Sequence, residues 1–483
     1  MRILGFGGNQ LAAAGGYEVD NSLRFDDGSS DNLSITPASN GNDRTGTFSW
    51  WFKRGDTGAT KYFYGQTISG SGVGVGILLS SDKIYIFQYD GTSPFNPANY
   101  DFGLTSQAVF RDHSAWYHAV LSIDTDNSTQ ADRIKLYVNG VSQTLESAGS
   151  QGFPAQNLDT AFFQSATARI GSDASGGNNF DGYIAEFVGI DGTALDPTSF
   201  GEFDSATGIW KPIDVSSLTF GTNGFYLDFE NSGSLGADVS GNGNNFTVNN
   251  LTSIDQSTDT CTNNFATMNP LNVPTSNAPT FAEGNLETES ATTSGQRFMG
   301  SSTIGLTDGK WYAECKIVVI DSATVGVSPD VQAHALDNTY IGSHQYDYSI
   351  LPDSGAKYNN DNGTTHGDAF STNDILMIAL DLDNNNVYFG RNGNWFDGSG
   401  NANQSSPSSA LSLTDPPSTP DGAYFFASSD GGGSAKAKVQ WNFGSPPFSI
   451  SSGNSDGNGY GNFEYAVPSG YYSLNSKNLA EYG

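Results

Sequence analysis

Short segments in which apolar and polar residues alternate recur along most of the chain. Examples from Leu23 onward are SLRF, GTFSWWFKR, KYFYGQ, VGVGILLS, KIYIFQYD and WYHAVLSID, which are rich in aromatic and β-branched residues and bounded by Gly, Asn, Asp or Ser. Alternation with period two places every second side chain on the same face of a strand. The pattern predicts many short strands joined by tight turns, as in an antiparallel sandwich. A single helical turn is predicted at residues 196–204, capped by Asp196 and begun by Pro197.

Two hairpins of similar sequence lie far apart in the chain. IDTDNSTQADRIKLYVNG at residues 123–140 and LDLDNNNVYFGRNG at residues 380–393 both read as strand, acidic turn, strand and Asn-Gly. An EF-hand loop would need Gly at its sixth position and Glu at its twelfth, and both are missing here. Asp and Asn side chains stabilise turns by binding nearby backbone groups. The aspartates are therefore predicted to form turns, and the repeat indicates two related sandwiches.

The length of 483 residues exceeds what one core usually supports, so we expect two domains. Alternating segments predict a first domain at residues 23–250 and a second at 281–448. Residues 251–280 are rich in Asn, Thr and Pro without periodicity and predict an extended linker. Residues 1–22 are interpreted as an N-terminal docking arm. The aromatic tail at 449–483 is expected to pack on the second domain.

The net charge of the chain argues against several classes of binding partner. The chain has 20 Lys and Arg against 51 Asp and Glu, a formal net charge of −31. This balance, without any basic run, argues against nucleic-acid partners and against attraction to an anionic membrane surface. No apolar stretch is long enough to insert into a membrane. Cys261 and Cys315 show no metal-binding spacing, and Cys315 is predicted to be a buried free thiol.

The order of segments in the first domain resembles a known fold. SLRFDDGSSDNLSI, TFSWWFKRGD, AWYHAVLSID, RIKLYVNGV, ARIGSD and NNFDGYIAEFVGIDGTALDPTSFGEF follow one another in residues 23–210. Together they resemble the laminin-G-like, concanavalin A-type jelly roll. The resemblance implies a two-sheet antiparallel sandwich.

The second domain resembles another branch of the same architecture. GKWYAECKIVVID, ATVGVSPD, DILMIALDLDNNNVYFGRNGNW and VQWNFG occur in the order typical of the SPRY domain, within residues 281–448. The predicted fold class is therefore all-β, with two concanavalin A-like jelly-roll sandwiches in tandem, laminin-G-like then SPRY-like, joined by an extended linker. The loop at 344–366 departs from the family pattern, so its partner specificity does not carry over.

The whole chain looks like virion structural proteins of tailed bacteriophages. The resemblance is carried by FGEFDSATGIWKP, NGFYLDFENSGSLGADVSGNGNNFT, TDTCTNNFATMNPL and VPSGYYSLNSKNL. It implies a tail-fibre or head-fibre type protein on the exterior of the phage particle, which adheres to host surface glycans. The partners implied are other virion proteins, bound through the N-terminal arm, and sister chains in a homo-oligomer such as a trimer.

Two alternatives remain open at this stage. One is a purely structural decoration protein of the capsid or tail. The other is a secreted carbohydrate-binding or glycan-cleaving protein. We expect no enzymatic activity and assign no catalytic residue, because the Glu-x-Asp-x-Glu triplet of laminarinase-type glucanases is absent. The nearest pairs, Glu202 with Asp204 and Asp228 with Glu230, lack a third acid.

Calcium is the one cofactor that the sequence suggests. Asp238, Asn242 and Asn244 in ADVSGNGNNF would supply oxygen ligands within a Gly-rich loop. Laminin-G-like domains often bind calcium at a sandwich rim, and this resemblance makes Asp173 and Asp181 secondary candidates.

Aromatic side chains with neighbouring amides in long loops suggest sugar sites. The loop at residues 89–103 and the loop at residues 344–366 both have this composition. The predicted carbohydrate-binding residues are Tyr89, Phe95, Asn96, Tyr100, Tyr346, Tyr348 and Tyr358.

Overall fold

The computed structural model describes residues 16–92, 97–148, 151–291, 295 and 297–483. The described chain divides into two compact units between Thr262 and Asn263. Both are built almost wholly from strands, which confirms the predicted all-β fold class. No helix in the described residues is long and apolar enough to cross a membrane.

The first unit, in residues 16–262, consists of short strands and 3-10 turns. The strands are β1 Ser22–Phe25, β2 Asn32–Ile35, β3 Thr45–Arg54, β4 Lys61–Thr67, β5 Val73–Ser80, β6 Lys83–Asp90, β7 Tyr100–Ser106, β8 Tyr117–Asp124, β9 Ile134–Val138, β10 Val141–Ser142, β11 Leu145–Ser147, β12 Ala168–Ile170, β13 Gly182–Asp191, β14 Gly201–Phe203, β15 Trp210–Pro212, β16 Phe225–Leu227, β17 Thr247–Asn249 and β18 Gln256–Ser257. The 3-10 turns are Pro97–Asn99, Gln130–Asp132 and Pro197–Ser199.

Two antiparallel sheets form the sandwich of the first unit. One has the order β10-β9-β8-β3-β13-β1-β18, with β16 beside β13, and the other has the order β11-β7-β6-β5-β4-β12-β2-β17. Alternate residues of both sheets meet in one core, with Phe48, Trp50 and Phe52 from the first sheet and Ile77 and Ile86 from the second. The period-two pattern of the sequence is thus the pattern of burial.

The second unit, in residues 263–483, continues the numbering. Its strands are β19 Thr280–Ala282, β20 Glu287–Glu289, β21 Arg297–Ser301, β22 Lys310–Val319, β23 Ala323–Ser328, β24 Tyr348–Leu351, β25 Ala356–Asn359, β26 Asn362–Thr365, β27 Ile375–Asp381, β28 Asn386–Arg391, β29 Asn394–Phe396, β30 Ala402–Gln404, β31 Leu411–Ser412, β32 Phe425–Asp430, β33 Lys438–Asn442 and β34 Tyr472–Ser473. Its helices are α1 Val331–Asp337 and α2 Ser476–Tyr482, and Pro416–Ser418 is a 3-10 turn.

This unit is also a two-sheet sandwich. The larger sheet has the order β19-β20-β33-β22-β27-β28-β29-β30, with β31 on β28 and β34 parallel to β22, and the smaller has the order β21-β32-β23-β24-β25-β26. Trp311, Ala313, Cys315 and Ile317 alternate along β22 into the core between the sheets. Cys315 is buried and unpaired, as predicted, and Cys261 is as well.

Local predictions can be compared with these elements. The helical turn forms at Pro197–Ser199, where the Thr198 amide donates to the Asp196 side chain at 2.9 Å. The hairpin aspartates belong to turns, since the Asn384 amide donates to Asp381 Oδ1 at 3.1 Å.

The ends and the connecting segment pack within the units. The predicted arm at 1–22 lies largely outside the described residues, but Val19 is buried in the first unit. Residues 251–280, predicted as the linker, contain little regular structure, yet they are packed, with Cys261 in the first unit and Met268 in the second. In the tail, Phe463 and Leu474 are completely buried in the second unit.

Candidate functional site

The second sheet of the first unit carries an aromatic cluster on the face opposite the core. Along β5 and β6, Ile77, Ile84 and Ile86 point into the core, so Leu78 and Phe87 point away from it. We call this surface the aromatic face. It consists of Tyr62, Leu78, Tyr85, Phe87, Tyr89 and Tyr100.

Ring packing holds the aromatic face together. The rings of Phe87 and Tyr100 stack with centroids 4.9 Å apart, and Tyr85 lies 5.9 Å from Phe87. Gly76 and Gly103 are the cross-strand partners of Phe87. A methyl group on Gly76 would lie 2.5 Å from the Phe87 ring, so only glycine leaves room for the ring.

The aromatic face has a buried centre and a partly exposed margin. Leu78, Phe87 and Tyr100 are buried, whereas Tyr62, Tyr85 and Tyr89 are half-buried. Burial raises the pKa of Tyr85 and that of Tyr100, so both phenols stay protonated at neutral pH. Rigid rings with phenol groups at the margin offer stacking surface and hydrogen bonds together. This combination suits the apolar C–H faces and the hydroxyl groups of a sugar.

The structure brings part of the first predicted sugar loop onto this face. Tyr89 and Tyr100 are cross-strand partners on β6 and β7, and the Tyr89 hydroxyl donates to the Thr92 carbonyl. Phe95 and Asn96 lie outside the described residues.

The sequence-based prediction missed Tyr62, Tyr85 and Phe87 because it considered loops. The signal was present in KIYIFQYD, in which Tyr85, Phe87 and Tyr89 form one alternating set and the other set begins with Ile84 and Ile86. A strand with two such sets must bury or use both of its faces.

The second predicted sugar loop is not a loop. Residues 348–365 form strands β24, β25 and β26, because their alternating residues pair in antiparallel register. Tyr358 pairs with Ser349, which places Tyr348 on the opposite face of the sheet. Tyr346 precedes β24 and is half-buried. The three tyrosines therefore do not form one surface.

The predicted calcium ligands lie together, but as a hydrogen-bonded loop. Asp238 accepts backbone N–H groups on both carboxylate oxygens, from Tyr226 at 2.9 Å and from Asn244 at 2.7 Å. The amide groups of Asn242 and Asn244 both donate to the Gly224 carbonyl, at 2.9 and 2.8 Å. Calcium needs six to eight oxygen ligands directed at one point. In this trio the Asp238 carboxylate and the NH2 groups of Asn242 and Asn244 bind the backbone, so these hydrogen bonds hold the loop without a cation.

A carboxylate cluster in the same unit, which includes the secondary calcium candidate Asp181, lies beside a lysine. Asp27, Asp56 and Asp181 adjoin the ends of β1, β3 and β13, which are neighbours in one sheet. Asp181 is buried, and its Oδ1 accepts no hydrogen bond from the described residues. Lys61 contacts Asp27 and lies 3.5 Å from Asp56.

Burial, and then the charges of Asp56 and Asp27, raise the pKa of Asp181 well above its usual value. The positive charge of Lys61 opposes this rise. Asp173, the other secondary candidate, is already saturated, since it accepts from the amides of Ser175 and Gly177 at 2.9 Å each.

One His and Asp group with metal-like proximity occurs among the described residues. Ligand atoms of His334, His344 and Asp347 lie within 4.8 Å of one another. The two imidazole rings stack with centroids 4.1 Å apart and an angle of 15°. Ring-nitrogen lone pairs lie in the ring planes, so stacked rings do not direct them at one ion. The geometry therefore does not suit a tetrahedral metal site.

This group instead forms a hydrogen-bonded chain. His334 bonds Asp347 at 2.9 Å through Nε2 and Thr339 at 2.7 Å through Nδ1, and His344 bonds Asp330 at 2.9 Å. Burial disfavours the Asp347 carboxylate, but its donors outweigh that effect and lower its pKa. These hydrogen bonds attach helix α1 to the smaller sheet, since Asp347 also accepts from Ser328 of β23.

Comparisons with known proteins agree with this architecture. Residues 27–197 match the family described as the concanavalin A-like lectin/glucanases superfamily. This match covers most of the first unit, including the aromatic face. No curated protein sequence matches the chain.

Solved structures similar to the chain include the following three. A heptameric SAP-like pentraxin from Limulus polyphemus is 16% identical over 37% of this chain and 78% of its own, with a TM-score of 0.26. A putative carbohydrate binding protein from Bacteroides ovatus is 14% identical over 48% of this chain and 59% of its own, with a TM-score of 0.31. The SPRY domain of human HERC1 is 15% identical over 36% of this chain and 96% of its own, with a TM-score of 0.27.

Proposed function

We propose that the protein binds neutral glycans through the aromatic face and that it does so on the exterior of a phage particle. The observation that carries the glycan proposal is the rigid aromatic face within a unit that matches a lectin and glucanase family. The strongly acidic chain, with a net charge of −31, disfavours acidic sugars as ligands. A neutral oligosaccharide is the ligand class that fits both properties.

The proposed activity is binding without cleavage. A glycosidase uses two carboxyl groups that face one glycosidic bond. The acid pairs noted in the sequence are engaged elsewhere: Glu202 and Asp204 both lie 3.3 Å from the ammonium group of Lys211. Asp228 accepts the Glu230 amide at 3.2 Å. These engagements support a binding role for the unit.

The location on a virion is supported by the resemblance of the full chain to structural proteins of tailed phages. The family model and the three solved structures do not indicate a virion protein. In the proposed arrangement residues 1–22 dock the chain to other virion proteins. Several copies, as in a trimer, would convert weak single-site binding into firm adhesion. Mass spectrometry of purified particles tests this part, and absence of the chain from them would contradict it.

The glycan proposal is tested with the full-length protein on an array of neutral and acidic oligosaccharides. Tyr85→Ala removes a half-buried ring from the aromatic face, and we expect about a tenfold loss of signal on neutral glycans. Tyr137→Ala, a half-buried tyrosine of the other sheet, is the matched control and should leave the signal unchanged. Equal signals for both variants would contradict the proposal. A wild-type protein without any glycan signal would favour the decoration-protein alternative.

A further inference from the structure

A groove of about 500 Å³ lies on the larger sheet of the second unit, on the face opposite the core. Its lining includes three aromatic residues and three serines, namely Tyr388, Trp395, Tyr471, Ser405, Ser406 and Ser469. None of its lining residues is charged. The volume lies in the range of small-ligand sites, roughly 300 to 1,000 Å³.

Sheet register explains why the aromatic side chains gather here. Tyr388 pairs with Ala379, and Ala379 pairs with Tyr312, so the three residues form a row on one face. Trp395 pairs with Gly390, the next residue of the same face on β28. Core residues such as Phe389 point the other way. The sheet thus presents two aromatic side chains on adjacent rows of its outer face.

The C-terminal tail builds the opposite wall. Residues 466–469 and Tyr471 line the groove. They are held there by Glu314, whose carboxylate accepts the backbone N–H groups of Glu464 at 3.0 Å and Tyr465 at 2.8 Å. Phe463 is completely buried against Tyr312, with ring centroids 5.0 Å apart. The wall is therefore anchored just before residue 466, and it is anchored again just after Tyr471, where β34 pairs with β22. These two anchors make the groove preformed.

The polar groups of the groove favour a neutral, hydroxyl-rich ligand. The indole N–H of Trp395 donates no hydrogen bond within the part of the chain that the structure describes. Serine hydroxyls both donate and accept, so they match sugar hydroxyls in either direction. An ionic ligand would find no opposite charge in the lining. A proline-rich peptide could also use aromatic rings, but it would leave the donors of the serines largely unused.

We infer that this tail-built groove is a second carbohydrate site, which takes a neutral sugar against the half-buried ring of Tyr388 and beside the indole N–H of the otherwise buried Trp395. The inference is separate from the aromatic face of the first unit. It makes the chain bivalent, so that one copy could engage two glycans or two parts of one glycan.

The test uses four full-length proteins on an array of neutral oligosaccharides that also carries immobilised decaproline. The proteins are the wild type, Tyr388→Ala, Trp395→Phe and Tyr85→Ala. On a set of neutral glycans, the signal of Tyr388→Ala should be about tenfold lower than that of the wild type. Trp395→Phe keeps an aromatic ring and removes the N–H, so we expect a loss of about fivefold on the same set. Tyr85→Ala should leave at least part of that set unchanged.

A control addresses folding. Tyr482 is a half-buried tyrosine of the same unit that does not line the groove, so Tyr482→Ala should match the wild type on the array. Loss of signal through Tyr388→Ala alone would support the groove and contradict the aromatic face. Loss through Tyr85→Ala alone would overturn the groove and support the aromatic face. A signal on decaproline that Tyr388→Ala abolishes would overturn the sugar assignment, as would a wild type that binds no glycan.

Discussion

The two units differ in how far the aromatic outer face of one sheet is covered by other parts of the unit. In the first unit the face is supported by its own rings and by glycines, and its tyrosines remain half-buried. In the second unit the tail covers the corresponding cluster of Tyr312, Met377 and Trp395, and only a groove stays open. Large exposed apolar patches are uncommon on soluble proteins and usually serve binding. The difference suggests a broad contact surface in one unit and a narrow, walled site in the other.

The largest effect should come from the buried side chain that anchors the tail. Phe463→Ala leaves a cavity beside Tyr312, and we expect a loss of about 3 to 5 kcal/mol in the free energy of unfolding. Tyr85→Ala in the first unit should cost less than about 2 kcal/mol, because its ring is only half-buried. Urea denaturation measures both. Similar costs would mean that the two faces do not differ as described.

The pH dependence tests the attachment of the tail. Burial raises the pKa of Glu314 from 4.5 to about 7, although hydrogen bonds to the tail oppose that rise. The folded unit then binds this proton more tightly than the unfolded chain does. Stability is therefore expected to fall as the pH rises from 4.5 to 7, by up to roughly 3 kcal/mol, and to level off above pH 7.

Glu314→Gln should remove this part of the pH dependence from the second unit. The matched variant lies in the first unit, where burial raises the pKa of Glu186 to about 7 against bonds from Tyr226 and Tyr17. Glu186→Gln should make the free energy of unfolding less dependent on pH over the same range. It should not affect glycan binding in the groove. A wild type whose urea midpoint rises between pH 4.5 and 7 relative to Glu314→Gln would contradict the prediction.

Glycine at the centre of the aromatic face offers a smaller effect. Gly76→Ala would place a methyl group 2.5 Å from Phe87 and 2.8 Å from Tyr62. We expect a loss of about 2 kcal/mol in the free energy of unfolding. Gly233→Ala is the control, because its nearest atom would be Asn231 Oδ1 at 3.4 Å. Thermal unfolding compares the two. An unaffected Gly76→Ala would show that the rings are loosely packed.

The smallest effect concerns buried carboxylates, in which the units also differ. Asp347 of the second unit has several donors, including Ser328 at 2.6 Å, while Asp181 Oδ1 of the first unit has none among the described residues. With a chelator at pH 7, Asp181→Asn should stabilise the protein by about 1 kcal/mol, since it removes a carboxyl group whose raised pKa costs stability at this pH. Asp173→Asn should not, because it loses turn hydrogen bonds.

Calcium chloride extends this test. It should raise the melting temperature of the wild type and leave Asp181→Asn unchanged if Asp181, Asp56 and Asp27 hold the ion. A wild type that does not respond to calcium would contradict cation binding at this cluster. Destabilisation by Asp181→Asn in the chelator would contradict the electrostatic account.

Much of the fold follows from the sequence because period-two alternation is a local property. The apolar residues Trp311, Ala313 and Cys315 occupy alternate positions of β22, and this spacing directly predicts a buried face. Strand β13 is harder to interpret, since all of its ten residues are buried and a bulge at Glu186, with φ of 50°, interrupts the alternation. Alternation is hidden where both faces are covered.

The candidate sites were less predictable, because they depend on which elements meet. Tyr89 and Tyr100 were found from loop composition, but their partners Tyr62, Tyr85 and Phe87 come from two strands, β4 and β6. The groove needs the tail to return to β28 and β29, which no local pattern specifies. The sequence could not show that Asp238 accepts backbone N–H groups, because a carboxylate in a Gly-rich loop suits a cation and a backbone turn equally well.

The most direct measurement is a crystal structure of the full-length protein with a neutral oligosaccharide identified on the array. The account predicts a sugar ring against the aromatic face, in contact with Tyr62, Tyr85 or Tyr89. Density for the sugar only at surfaces away from these tyrosines would contradict the proposed function.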